Sequence, residues 1–192
     1  MVKNQEDLLK DVTSVLERED IPYMVTGAYN VIFYGRPRAS HDIDFVIDIT
    51  PKDVNRVITA LQKVTFDFIV DQDAINEAVK YQGQFNVLYP PAAIKLDFWL
   101  VKDDEFDRLR FHRRVKVKAL GQKMLMATPE DTILQKLRWY NKSKIEKHLI
   151  DAAFVWQIQT GLDKKYMDKW ARKLSVNKYL PQLGKIDMEE HY

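Results

Sequence analysis

The stretch His41-Asp42-Ile43-Asp44-Phe45-Val46-Ile47 decides the fold. Ile43, Phe45 and Ile47 alternate with Asp42 and Asp44, the period of two expected for a strand with one apolar face. The apolar face turns to a core, so the two aspartates share the opposite face, about 6.5–7 Å apart. An acid-x-acid pair alone means little, because 28 acids in 192 residues produce about four such pairs by chance. Asp71/Asp73 and Glu17/Glu19 are other examples. Strand phase is what distinguishes Asp42/Asp44.

A second strand repeats the arrangement. Ile94, Leu96, Phe98 and Leu100 mark one face over residues 85–101, and Lys95, Asp97 and Trp99 mark the other. Asp97 therefore stands opposite an apolar face, as Asp42 and Asp44 do. Three carboxylates on one side of a sheet suit two-metal phosphoryl transfer, in which two Mg²⁺ ions roughly 3.5–4 Å apart clamp the attacking and leaving oxygens. Mg²⁺ favours a few carboxylates completed by phosphate oxygens and water. In that reading Asp42 and Asp44 hold metal, Mg²⁺ or Mn²⁺, while Asp97 completes the site and helps deprotonate an acceptor hydroxyl. The alternative is a solvent-facing sheet surface that happens to carry acids. Upstream, the strand Tyr23-Met24-Val25-Thr26 runs into Gly27 and then a helix over 28–35. A glycine turn at a helix start exposes backbone N–H groups suited to phosphate. Such a glycine is more often only a turn.

The rest of the chain alternates in kind up to about residue 127. Leu8, Leu9, Val12, Val15 and Leu16 predict a helix over 5–18. Thr50-Pro51 opens a helix carrying Val54, Val57, Ile58 and Leu61. Residues 66–70 are ambiguous, and 73–81 read as a short helix. Residues 115–126 read as a hairpin with Gly121-Gln122 as its two-residue turn. Beyond it, Thr128-Pro129-Glu130-Asp131 combines an N-cap, Pro at the first helical position and acids in the first turn. Three apolar stripes follow: Ile133, Leu134, Leu137 and Tyr140; Ile145, Leu149, Ala152, Ala153 and Trp156; and Tyr166, Met167, Trp170 and Leu174. The expected architecture is α/β (α+β), with a mixed, antiparallel-rich sheet flanked by helices over 1–127. A helical segment packed on it follows over 128–192.

With no cysteine, the chain has neither disulfides nor a thiolate zinc site. The first residues lack the apolar core of a signal peptide, and no apolar run approaches a membrane span, so the expectation is a cytoplasmic protein without membrane contact. Residues 108–147 hold twelve Lys or Arg against three acids, a net of +9 within an overall +2. That segregation points either to a surface for a polyanion such as nucleic acid or to a solvated face.

Taken in order, Val25-Thr26-Gly27-Ala28, then Asp42-Ile43-Asp44, then Lys95-Leu96-Asp97-Phe98 resemble the nucleotidyltransferase superfamily of DNA polymerase beta, the antibiotic nucleotidyltransferases and the minimal nucleotidyltransferases. Gly35-Arg36-Pro37-Arg38-Ala39-Ser40-His41-Asp42-Ile43-Asp44 is especially similar to the AbiEii-like branch, the toxin side of some toxin–antitoxin systems. Pro129-Glu130-Asp131-Thr132-Ile133-Leu134-Gln135-Lys136-Leu137 and Lys147-His148-Leu149-Ile150-Asp151 resemble its later helices. The resemblance covers roughly residues 5–160.

The resemblance implies catalytic, metal-binding Asp42, Asp44 and Asp97, and nucleotide contacts from Gly27, Ala28, Arg38, Ser40, Lys136 and Asp151. Lys136 would meet phosphate, and Asp151 would sit near the pocket or orient a basic partner. Read as residues alone, Lys136 is equally an exposed lysine on an amphipathic helix, and Asp151 may balance Lys147 at i,i+4 spacing. The family pattern usually has Ser or Gly where this chain has Ala28; without a hydroxyl, only backbone N–H groups remain for phosphate there. The implied activity moves a nucleoside monophosphate from an NTP to a hydroxyl of RNA, a protein side chain or a small molecule, with an antitoxin as the implied partner; the basic segment tilts the acceptor toward RNA, a tRNA end included. The alternatives are a catalytically weakened nucleotide-binding or regulatory module and a small-molecule (antibiotic) nucleotidyltransferase. His41, beside the acids, would line the pocket or face solvent, with metal ligation the less favoured reading.

Overall fold

The computed structural model describes residues 2–40 and 42–189. They form two compact units. One runs up to Ala28 and resumes over Ala39–Met126; the other comprises Tyr29–Arg38 and the chain from Ala127 onward. The helix after Gly27 thus belongs, from Tyr29, with the C-terminal helices rather than with the sheet that precedes it in sequence.

The first unit is built on a mixed sheet of seven strands among the described residues. The strands are β1 (Tyr23–Thr26), β2 (Asp42–Ile47), β3 (Ile69–Val70), β4 (Gln84–Tyr89), β5 (Ile94–Leu100), β6 (Val115–Ala119) and β7 (Gln122–Met126), in the order β3-β4-β5-β2-β1-β7-β6. β2 runs parallel to β5, and β1 parallel to β7; the other pairings are antiparallel. Residues 66–70, ambiguous in sequence, supply the two-residue edge strand β3.

One sheet face is apolar through and through. Phe85, Phe98, Phe45 and Val25 are register partners across β4, β5, β2 and β1. The Phe98 ring stacks between Phe45 and Phe85, with centroids 4.9 and 5.0 Å away. Ile43, Ile47 and Leu96 extend this face, and all three are fully buried. α1 (Gln5–Arg18), α3 (Val54–Val64) and α4 (Gln72–Tyr81) pack on one another and against β7, β4 and β5. Asn4 and Asp7 form a reciprocal cap on α1, and Asp71 accepts from the backbone N–H groups of Asp73 and Ala74 to start α4.

Two local expectations need correcting. The hairpin turn falls one residue early, on Leu120-Gly121, because Ala119 and Gln122 are register partners. Both turn residues have positive φ, 51° and 82°. Gln122 is held in β7 by its amide, which donates to Thr13 Oγ1 at 2.8 Å and to the Lys10 carbonyl at 3.0 Å. The other correction is a helix the sequence reading passed over, α5 (Glu105–His112), capped by Asp104, which accepts from the Asp107 N–H.

The second unit is helical: the body of α2 (Gly27–Tyr34), then α6 (Pro129–Ser143), α7 (Glu146–Ile158), α8 (Lys164–Lys173) and the short α9 (Leu180–Leu183). Thr128 caps α6 as its sequence signal predicts. Asn30 anchors α2 by donating to Thr132 Oγ1 at 3.1 Å and to the Ala127 carbonyl at 3.3 Å. A side chain at Gly35 would press on the Val31 carbonyl and on Phe154 Cβ, 2.8 and 3.2 Å from its ideal Cβ, so this glycine permits close approach to α7. Among the described residues no helix is long and apolar enough to cross a membrane.

The triple stack makes Phe98 a sensitive position of the sheet. Phe98→Ala should destabilise the protein by about 3–5 kcal/mol, since truncating a buried aromatic leaves a cavity. Chemical denaturation of the two proteins measures the difference.

Candidate functional site

The site follows from the register of β2 and β5. Because the strands run parallel with Asp44 opposite Asp97, Asp42 falls opposite Lys95. These four residues share the face away from the phenylalanine stack. Asp97 is largely buried, and Asp42 and Asp44 are partly exposed. Lys95 joins two of the acids: its ammonium lies 2.9 Å from Asp97 Oδ2 and 3.6 Å from Asp42 Oδ1. The hydrogen bond to Asp97 raises the lysine above its usual pKa, against a smaller opposing effect of burial. Asp97 Oδ1 is buried with no hydrogen-bond partner. Ser40 Oγ donates to the Asp42 carbonyl at 3.1 Å, steadying the entry to β2.

Gly27 meets this face through Asp44. It follows β1 and opens α2 with φ of +68°, a left-handed conformation that favours glycine. An ideal Cβ there would lie 1.9 Å from Asp44 Oδ2, so the carboxylate occupies the space a side chain would need. Ala28, next in the helix, is buried. His41 lies outside the described residues.

Among the described residues, no group of three or more His, Asp or Glu side chains is gathered so as to hold a metal ion. The donor chemistry nevertheless fits a hard cation. All three candidates are carboxylates, one has an orphaned buried oxygen, and Mg²⁺ commonly takes one or two carboxylates and completes its shell with phosphate and water.

A second cluster lies within the helical unit. Asp151, on α7, is 1% exposed and accepts from two cations. Lys136 Nζ on α6 is 2.7 Å from Oδ2, while Arg38 places Nη2 at 3.0 Å from Oδ2 and Nε at 2.9 Å from Oδ1. Lys136 is itself 4% exposed, with its ammonium 5.2 Å from the Trp139 ring centroid. Neither plain reading of these residues survives, because Lys136 is not a surface lysine and Asp151 is engaged by Arg38 and Lys136. Two cations on one carboxylate leave the cluster net positive. His148, whose ring centroid is 5.4 Å from that of Trp139, sits beside it with Nδ1 buried and without a partner. Its pKa is lowered, first by burial and then by the Lys136 charge.

The basic segment changes meaning once folded. Arg108 pairs with Asp103 at 2.7 Å, Arg110 with Asp107 at 2.6 Å, Lys116 with Glu17 at 3.4 Å and Lys136 with Asp151 at 2.7 Å. All four acids lie outside residues 108–147, so the segment's +9 overstates the charge offered to solvent. Lys118 and Lys123 remain exposed and face each other across the β6–β7 hairpin. Nothing in the local sequence pattern assigns Lys95 or His148 a role. The phase of Lys95 was visible beside Asp97, but its place opposite Asp42 depends on strand register.

A glycine-opened helix, paired aspartates and a third acid thus stand on one mixed sheet. The family model for "Nucleotidyl transferase AbiEii toxin, Type IV TA system" matches residues 28–187, and the chain belongs to that family. No curated protein matches the chain. Among solved structures, it is similar to ANT(2″)-Ia in complex with adenylyl-2″-tobramycin, at 9% identity and TM-score 0.62, covering 90% of this chain and 98% of that one. An antigenic nucleotidyltransferase-like protein from Paracoccidioides brasiliensis gives 15% and 0.57, covering 96% and 93%. Lincomycin-bound LnuA, a lincosamide antibiotic adenylyltransferase, gives 12% and 0.55, covering 83% and 100%. At these identities the likeness is one of fold.

Two outcomes test the geometry. Gly27→Ala should cost about 1–3 kcal/mol, because alanine must adopt a left-handed conformation and displace Asp44; urea melts give the difference. His148 should make stability fall with acidity. Its folded pKa lies below the ordinary histidine value of 6.5, so the native state binds fewer protons than the unfolded chain. The contribution is complete above that value and is lost as pH drops through the folded pKa. The charges around it are Lys136, Asp151, Lys147 and Arg38. Melting temperatures of wild type and His148→Gln between pH 7.5 and 5 should diverge, with the variant losing less on acidification.

Proposed function

We propose that the chain moves a nucleoside monophosphate from an NTP to a hydroxyl on RNA, with Asp42, Asp44 and Asp97 as ligands of Mg²⁺ or Mn²⁺. The observation that carries this reading is the direct pairing of Asp44 with Asp97, with Asp42 one pleat away on the same face. A metal bound there would neutralise phosphate charge and polarise the α-phosphoryl group. The acceptor oxygen bonds to the α-phosphorus, the bond from that phosphorus to the β-phosphate oxygen breaks, and pyrophosphate leaves. Asp97 Oδ1, desolvated and without a partner, is suited to take the acceptor's proton. The backbone at Gly27 and Ala28, at the start of α2, supplies N–H groups for the triphosphate without a serine hydroxyl.

Arg38 and Lys136 are proposed to meet phosphate, held in place by Asp151 and already bearing a surplus positive charge. Ser40 contributes by setting the backbone before Asp42. RNA, a tRNA end in particular, is favoured as acceptor by the exposed Lys118/Lys123 pair, since like charges placed opposite each other suit a polyanion. The toxin family implies an antitoxin partner.

Incubation with Mg²⁺, radiolabelled NTPs and total tRNA should transfer label to RNA, and Asp42→Ala should abolish transfer. Unchanged labelling in that variant would overturn the metal-site assignment. NTP binding without transfer to any acceptor would favour a nucleotide-binding module instead.

A further inference from the structure

Lys95 is unusual company for metal-binding carboxylates. It is not a loose surface residue that wandered in. The parallel register sets residue 95 beside Asp42, and the strand period sets it on the same face as Asp97. Its ammonium lies between the two acids, 3.6 and 2.9 Å from one oxygen of each. That is where positive charge is wanted if the face is to bind a cation. We propose that the Lys95 ammonium is an internal competitor for the divalent metal ion, offsetting part of the charge of Asp42 and Asp97 in the metal-free protein and swinging aside when metal and nucleotide arrive together. The inference rests on the reading of Asp42, Asp44 and Asp97 as the metal-binding face.

The side chain is built to move. Lysine carries its charge on a flexible four-carbon stem, and the Lys95 side chain is 38% exposed. Its cross-strand neighbour on the other side is Leu88, which pairs in turn with Ile69, and both are exposed. This apolar strip gives the lysine stem a surface to lie along while its charge stays in water. A triphosphate supplies what the displaced ammonium lacks, a second anionic partner, and it brings oxygen ligands for the metal. Metal alone displaces Lys95 without compensation, whereas metal with nucleotide displaces it onto a new anionic partner. The two ligands are therefore coupled, each strengthening the other's binding.

Mn²⁺ binding to the full chain, followed by the electron paramagnetic resonance signal of free Mn²⁺, reads this without turnover. Titrations are compared for wild type, Lys95→Gln and Lys95→Arg, each with and without an ATP analogue carrying a methylene bridge between the α- and β-phosphorus. Lys95→Gln should bind Mn²⁺ about tenfold more tightly than wild type without nucleotide, the scale expected for removing one charge at contact distance in a partly solvated site. The nucleotide should then improve its metal affinity less than it does for wild type. Lys95→Arg, which keeps the charge, should stay close to wild type. Equal or weaker Mn²⁺ binding by Lys95→Gln would overturn the competition while leaving the metal site standing. Absence of Mn²⁺ binding in all three proteins, even with the analogue, would overturn both the metal site and this inference.

Discussion

The parallel pairing of β2 with β5 is the constraint on which the rest depends. One register satisfies two demands at once. On the buried face it stacks Phe98 between Phe45 and Phe85; on the other it sets Asp44 beside Asp97 and Asp42 beside Lys95. A slip of one residue would turn every side chain to the wrong face, placing carboxylates in the core and phenylalanines in water. The energy that holds the acids together is thus mostly not electrostatic. Burial of the aromatic stack locks the strands, and the locked strands hold like charges nearer than they would settle alone. Lys95 offsets part of that repulsion from within the same sheet.

Gly27 extends this logic to the turn that precedes α2. The residue is at once the link from β1, the start of a helix and the floor under Asp44. Only glycine meets the three demands together, because the left-handed backbone disfavours any Cβ and the carboxylate already occupies its space. The glycine turn and the position of the Asp44 carboxylate are one structural feature here.

Within the helical unit, Asp151 organises its surroundings in a different way. A carboxylate 1% exposed is costly to bury, and it persists because Arg38 and Lys136 both satisfy it. Removing the acid would strand two cations in a poorly solvated place, so the three side chains stand or fall together. The cluster is stable and still positively charged, a combination suited to an anionic ligand. Its charge also reaches His148, where it adds to burial in resisting protonation.

Much of this was readable in the chain before any fold was known. Period-two alternation marked β2 and β5 and put Asp42, Asp44 and Asp97 on polar faces, and the Thr128-Pro129 signal placed the start of α6. These are local properties, fixed by the pleat of a strand and the unsatisfied N–H groups of a helix start. Other features needed partners distant in sequence. The +9 of residues 108–147 is offset in part by Glu17, Asp103, Asp107 and Asp151 from outside it, and Lys136, which the pattern alone allows to be exposed, is buried. Gln122 joined a strand because α1 held its amide, and α2 joined the C-terminal helices through Asn30 and Gly35. Sequence by itself determined which residues face which way along each element, because backbone geometry repeats every two or 3.6 residues. Only the tertiary structure decided that Lys95 lies between Asp42 and Asp97, and that Asp151 holds Arg38 and Lys136. Strand register and helix packing are set by contacts between segments that no local period encodes.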